Sequence, residues 1–486
     1  MMACYNPWHR VDYLKIKGRA MILFLIACVA LVLGYVVYGT FVEKVWGITK
    51  NPTPAMKHPD GVDYVPFPTY KAFLIQFLNI AGLGPVFGAI LGAVYGPVCL
   101  LWIVFGCIFA GAVHDYLSGM LSLKHDGKSL IYLMEIYFGK YVKYLALFLL
   151  IAMLLLVGTI FAKSPADMLG QLTSSSVWIW LAIVFGYYFV ATLLPIDKLI
   201  GRFYPLFALC LLGSSICLIV VLFLKDVPPF LNFELANQHP KGLPLFPLVF
   251  VTIACGAISG FHATQSPMIA RCLTDEKYGR PVFYGAMITE GVVALIWATL
   301  GICFYPSTTA LFNAVGEVQP GGVVSQIATG LLGNVGGIVT IASVIILAIT
   351  TGDTCFRSAR LILADFLKLP QEKIRWRLIL SVVVLCGGIS LSVMNVSKIW
   401  QYFGWFNQTL AMFTLWLTTV YLYKEKKFFW ISLVPASFMT AVSVAYIVYD
   451  KLFLNLSADI AQKAGLVAAI TVFAGFLVFT KVKNKN

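Results

Sequence analysis

The chain has 486 residues, of which 60% are hydrophobic and only 12% charged, and it carries a net charge of +14. Apolar runs of this extent exceed what one soluble core covers, so a water-soluble globule is excluded and a polytopic membrane protein is expected. The positive balance reads as lysine and arginine gathered in cytoplasmic loops rather than as a surface for nucleic acid.

A hydrocarbon core about 30 Å thick takes roughly 20 helical residues per crossing. Thirteen runs meet that need, near residues 20–41, 72–97, 98–122, 141–163, 177–194, 203–224, 245–270, 282–305, 336–364, 376–394, 402–423, 428–449 and 464–481. The first, Met21 to Tyr38, is longer than the roughly 7–15 residues of a signal-peptide core and reads as a retained span. Continuous runs without two-residue alternation exclude a strand barrel. The 11 cysteines form no CxxC pair, so neither a disulfide framework nor a metal site is expected. Alternate loops carry 25 and 10 lysines and arginines. That asymmetry places the C-terminus in the cytoplasm and the N-terminus outside, against the pull of Arg10, Lys15, Lys17 and Arg19 in the N-terminal tail.

Two of the runs are interrupted. NIAGLGPVFG, Asn79 to Gly88, breaks the second, and AISGFHATQSP, Ala257 to Pro267, breaks the seventh. Five helices begin with each broken one, an arrangement that predicts an all-α, LeuT-like five-plus-five inverted repeat with about three extra helices. The expected division is 1–71 for the N-terminal tail, first helix and loop, 72–244 and 245–423 for the repeats, and 424–486 for two C-terminal helices and tail. Unwound backbone is tolerated at membrane depth only where it lines a cavity or is buried in protein. Half-helix N-termini there attract a carboxylate. Ala81, Gly82, Gly84 and Pro85 of the first break, with Gly260, His262, Thr264 and Gln265 of the second, are therefore the candidate substrate-binding residues.

GVDYVPFPTYKAFLIQFLNIAGLGPVFGAILGAVYGP and FGCIFAGAVHDYLSGMLSLKHDGKSL resemble the N-terminal signature of the carbon starvation protein A (CstA) family. SGFHATQSP, FYGAMITEGVVAL, TTGDTCFRSARLILADF and FGWFNQTLAMFTLWLTTVYL extend the resemblance from about Gly61 to Leu422. It implies a secondary transporter of the LeuT-like superfamily, linked to uptake of peptides and, in some members, of pyruvate with protons. Many relatives carry a histidine pair before AGxGP, where this chain has Gln76 and Phe77.

An ionisable group at the centre of a span costs about 2.5–3.5 kcal/mol on insertion scales, so each is a functional candidate. Asp353, with Thr350, Thr351 and Thr354 around it, suits a proton or a sodium ion, because burial disfavours its charged form. The plain alternative is an ion pair with Arg357, four residues on. Asp115, beside His114, reads as a proton relay or as an interhelical hydrogen bond near the gate. Glu290 reads as a coupling carboxyl or a bridge between helices, and His262 as a titrating group or a packing one. Asn407 and Gln408 offer an amide donor and acceptor set for substrate, or glue between helices. The aromatics Trp400, Tyr402, Phe403, Trp405 and Phe406 read as an interfacial belt.

No GxxxxGK[ST] motif is present, and KHDGKSL from Lys124 to Leu130 is a basic turn. The expectation is a non-enzymatic, proton-coupled (alternatively sodium-coupled) transporter in the cell's inner membrane, without a cofactor, whose partners are a small-molecule substrate, the coupling ion and the lipid bilayer. A channel or a nutrient-sensing receptor is the alternative class. Loops near 42–71 and 225–244 are too short for a signalling domain.

Overall fold

The computed structural model describes residues 7–60, 64–191, 196–225, 234–370 and 373–483, and side chains for 18–60, 64–191, 206–225, 234–370 and 373–482. Arg10, Lys15 and Lys17 of the tail, and Lys198 and Arg202, lie outside the described side chains. Among the described residues helices account for the regular structure, and one isolated bridge joins Phe67 to Leu273.

In chain order the helices are α1 (Gly18–Trp46), α2 (Thr69–Ala81), α3 (Gly84–Ala93), α4 (Cys99–Lys124), α5 (Leu130–Phe138), α6 (Lys140–Thr173) and α7 (Val177–Ala191). They continue as α8 (Leu206–Leu224), α9 (Leu245–Thr252), α10 (His262–Ala270), α11 (Glu276–Phe304) and α12 (Thr308–Phe366). The last four are α13 (Ile374–Leu391), α14 (Val396–Lys424), α15 (Trp430–Tyr449) and α16 (Ala458–Lys483). Among the described residues 9 helices are long and apolar enough to cross a membrane, and 10 if the bent pair α2 and α3 counts as one span. The other expected runs fall on the 15-residue α7, the broken pair α9 and α10, and the 29-residue α14.

Local chemistry sets the ends. Asn395 Oδ1 accepts the Lys398 N–H at 2.9 Å at the start of α14, and Ser307 Oγ accepts that of Ala310 at 3.1 Å at the start of α12. The expected span at 336–364 is the last part of the longer α12, which is interrupted at Gln319 (φ 61°) and Gly333 (φ 70°). Pro320 explains the first interruption, since its ring pushes the preceding residue out of helical geometry.

The centre is α11, whose Trp297 is fully buried and donates Nε1–H to Ser215 Oγ at 3.1 Å. Around it pack α2, α3, α8 and α4, and α6 lies along α12 and α14. Leu466, Val467 and Ile470 of α16 and Ile379 and Val383 of α13 are exposed, the pattern of a surface meant for lipid.

The loops sort onto two faces. On one, Thr49 donates from its N–H and Oγ1 to Glu276 at 2.7 and 2.8 Å, Lys57 meets Asp126 at 3.9 Å, Arg271 donates to the Gly127 carbonyl at 3.0 Å, and Lys124 meets Glu425 at 3.1 Å. On the other, Gln238 N–H donates to Tyr95 O at 3.0 Å and Thr308 Oγ1 to Gln238 O at 2.8 Å. The first group joins four of the basic segments counted together above, 42–71, 122–143, 271–280 and 424–427.

The aromatic belt needs correction. Trp400 and Phe403 are each 1% exposed. Trp400 Nε1–H donates to the Thr252 carbonyl at 3.0 Å, because that carbonyl ends α9 and has no helical partner. Tyr402, Trp405 and Phe406 are half-buried.

Candidate transport and coupling site

The first break lies where expected, whereas the second is displaced: the expected stretch Ala257 to Pro267 is unwound only up to Phe261, and His262 to Pro267 are helical, opening α10. α2 ends at Gly82 (φ +45°), and the chain resumes at Gly84 bent by 51°. In the second break residues 253–261 leave the helix between α9 and α10. The two breaks touch: a β-carbon on Gly84 would overlap Cβ and Sγ of Cys255. Only glycine allows that approach.

The backbone groups freed by unwinding are met by side chains. Trp102 Nε1 of α4 donates to Ile253 O at 3.3 Å, and Gln408 Nε2 to Phe250 O at 2.7 Å. Asn407 Oδ1 accepts from the Phe261 N–H at 2.8 Å and from Ser259 Oγ at 3.1 Å, and its own carbonyl accepts the Gly260 N–H at 3.2 Å. Asn407 and Gln408 thus hold the break itself.

Three charged candidates from different helices meet beside it. Asp115 of α4 takes His114 Nδ1 on one oxygen and His262 Nδ1 on the other, both at 2.8 Å. With the carboxylate ionised, each Nδ1 carries a hydrogen and donates it. Glu290 Oε1 accepts the Gly256 N–H at 3.0 Å, and its Oε2 lies 3.4 Å from His262 Nε2. All four side chains are fully buried. Such an array costs desolvation that close pairing offsets, and losing one partner typically costs about 3–5 kcal/mol.

Asp353 sits elsewhere in its own pair. It is 4% exposed, and its Oδ2 accepts from Arg357 Nη2 at 3.2 Å, while Arg357 also donates to Ala191 O at 2.8 Å. The Thr351 and Thr354 hydroxyls donate to carbonyls of their own helix, at 2.9 Å to Leu347 and 2.8 Å to Thr351. Thr351 does face the first break, with its methyl 3.4 Å from where a β-carbon on Gly82 would lie.

Thr264 Oγ1 donates to Phe261 O at 2.7 Å and accepts from Gln265 Nε2 at 2.7 Å, leaving Gln265 Oε1 without a partner. On α2, which packs against α10, both amide atoms of Gln76 and Oδ1 of Asn79 are buried and unpartnered. Buried polar groups are normally satisfied, so these three amides mark where a ligand or water belongs. Cys255, Ser259, Trp102 and Asn79 carried no signal in the sequence beyond their position in or near the breaks.

A family model for carbon starvation protein CstA matches residues 19–179, 164–329 and 314–445. The chain belongs to the CstA family. It is 44% identical over 353 residues to an uncharacterised membrane protein of Haemophilus influenzae, covering 62% of this chain and 95% of that one. It is 26% identical to the peptide transporter CstA of Bacillus subtilis, over 96% and 97% of the two chains. Against the pyruvate/proton symporter BtsT of Escherichia coli it is 28% identical, over 50% of this chain and 43% of the relative. Among solved structures, an Eremococcus coleocola manganese transporter aligns with a TM-score of 0.59 at 12% identity, covering 87% of this chain and 98% of its own. Inward-facing Mhp1 aligns with a TM-score of 0.54 at 13% identity, covering 86% and 94%. The fold is that of the LeuT-like transporters.

Proposed function

We propose that this protein is a secondary-active transporter of the cell's inner membrane that brings in peptides or small carboxylates such as pyruvate together with protons. The observation that carries the reading is the enclosed Asp115, His262 and Glu290 array joined to an unwound backbone. A proton taken up by Glu290 removes its charge, weakens its hold on the Gly256 N–H and ends its attraction to His262. The second break and α11 can then separate, which is the kind of two-state element that coupling requires. The names of the relatives support peptides and pyruvate as the substrate classes.

Residues 72–244 and 245–423 are the two repeats in this reading, with 1–71 and 424–486 outside them, and the basic face with the C-terminus is cytoplasmic. Substrate sits between the breaks, along Ala81, Gly82, Gly84 and Pro85 on one side and Gly260, Thr264 and Gln265 on the other. The amides of Gln76 and Gln265 face it, and the N-terminus of α10 draws its carboxylate. Asn407 and Gln408 shape the site from behind.

Reconstituted uptake of labelled pyruvate, amino acids and short peptides tests the assignment. Accumulation of a peptide or small carboxylate above its external concentration, driven by an imposed proton gradient, is the expected result. Equilibration without accumulation would mean a channel, and a requirement for sodium at constant pH would move coupling to Asp353 and Thr354. Asp353→Asn is expected to retain gradient-driven accumulation, because Asp353 serves its pair with Arg357. Loss of accumulation in that variant, with protein level and exchange preserved, returns the coupling role to α12.

A further inference from the structure

Cys255 Sγ, one nitrogen of His262 and one oxygen of Glu290 all lie within 4.8 Å of one another, and all three residues are buried. Two of these atoms, His262 Nε2 and Glu290 Oε2, face each other at 3.4 Å, too far apart and too poorly aligned to count as a hydrogen bond. The thiol donates to Ser259 Oγ at 3.5 Å, accepts from Asn407 Nδ2 at 3.9 Å and also meets the His262 ring. A nitrogen and an oxygen that meet only loosely beside a thiol, all enclosed, are what a ligand set looks like before an ion draws it in.

The surroundings of each atom support this. His262 Nδ1 is engaged by Asp115 Oδ2 at 2.8 Å, which leaves Nε2 facing the other two ligands. A carboxylate behind a histidine in this way is the usual outer support of a metal-binding imidazole. Glu290 is steadied on its other oxygen by the Gly256 N–H at 3.0 Å. A sulfur, a nitrogen and an oxygen donor select a zinc-like ion over magnesium or calcium. Ligands about 2.0–2.3 Å from such an ion leave a fourth, open position when the protein supplies three.

We propose that Cys255, His262 and Glu290 bind a zinc-class divalent cation that fastens the second break to α11 and arrests transport. Cys255 and His262 stand on opposite sides of the unwound 256–261 stretch, and Glu290 belongs to α11, so one ion fixes the spacing of all three. On binding, the thiol proton and any proton held between His262 Nε2 and Glu290 are released to solvent, and the thiolate, the free imidazole nitrogen and the carboxylate take their places on the metal. The thiolate and the Glu290 and Asp115 carboxylates supply the negative charge that holds the cation in an apolar interior. Binding itself stands apart from the proton-coupling reading; the arrest rests on that reading.

The full chain, purified in detergent, is titrated with cobalt(II) as the spectroscopic probe and then with zinc. One cobalt per chain with a thiolate-to-cobalt charge-transfer band, bleached by zinc, is expected. Cys255→Ser and Cys255→Ala should both lose the band and lose the inhibition by zinc seen in the unaltered protein, with inhibition read in each variant against its own uptake in chelator. A band that is absent, or that persists unchanged in both well-folded variants, overturns the site. Cobalt bound through Cys255 without inhibition of uptake by zinc overturns the arrest. Unaltered protein that shows the band but no proton-driven uptake in chelator removes the coupling reading and leaves the metal site standing.

Discussion

Glu290→Gln is expected to abolish accumulation while leaving exchange of substrate across the membrane. Glutamine keeps the acceptor for the Gly256 N–H, which Glu290 Oε1 now meets at 3.0 Å, so the break retains its shape. What disappears is the group that, in the proposed coupling, alternates between charged and neutral opposite His262. A membrane potential of 100 mV supplies about 2.3 kcal/mol per charge moved, enough to accumulate an electroneutral substrate roughly fiftyfold when one proton enters with it. In proteoliposomes the variant should equilibrate labelled substrate and support counterflow, yet show no response to an imposed gradient. Persistence of gradient-driven accumulation would take coupling away from this carboxyl.

Gly260→Ala is expected to be strongly destabilising. A β-carbon there would lie 2.5 Å from the Ala411 nitrogen and 2.7 Å from Leu410 Cβ, and would overlap the Asn407 carbonyl that accepts the Gly260 N–H. Backbone cannot rotate aside as a side chain can, so relief requires the break to pull away from α14. Overpacking of this kind costs about 1–3 kcal/mol, and an orphaned buried N–H about 1–3 kcal/mol more. Gly186 in α7 and Gly213 in α8 have open space around the same position. Alanine at either should be neutral or stabilise by about 0.5–1 kcal/mol through the helix interior. Thermal unfolding followed by loss of the monodisperse size-exclusion peak compares the three; a Gly260→Ala midpoint equal to that of Gly186→Ala would contradict the packing described here.

The broken helices were legible because glycine and proline interrupt apolar runs, and the interruption is local in sequence. Asp115, His262 and Glu290 each stood out for a similar reason, as a polar group inside a span. Their meeting did not, since residues 147 and 28 positions apart are brought together only by how α4, α10 and α11 pack. Asn407 was legible as polar but not in its orientation: a side chain that satisfies unwound backbone and one that binds substrate have the same composition. Cys255 was silent because a free cysteine in an apolar run behaves as a small hydrophobe. Trp400 misled for the opposite reason, since its ring suits an interface until the carbonyl of Thr252 is known to need a donor.

The loops gathered on the basic face have a consequence for how the protein opens. Thr49 with Glu276 and Lys57 with Asp126 tie the connection after α1 to the start of α11 and to the turn after α4, and Lys124 with Glu425 ties the end of α4 to that of α14. These groups are largely exposed, and ties of that kind are worth about 0.2–1 kcal/mol each and weaken as salt screens them. They act as a latch of several weak teeth rather than one strong bolt. Such a latch releases in steps, at little energetic cost, and its release should grow easier as the ionic strength on that side of the membrane rises.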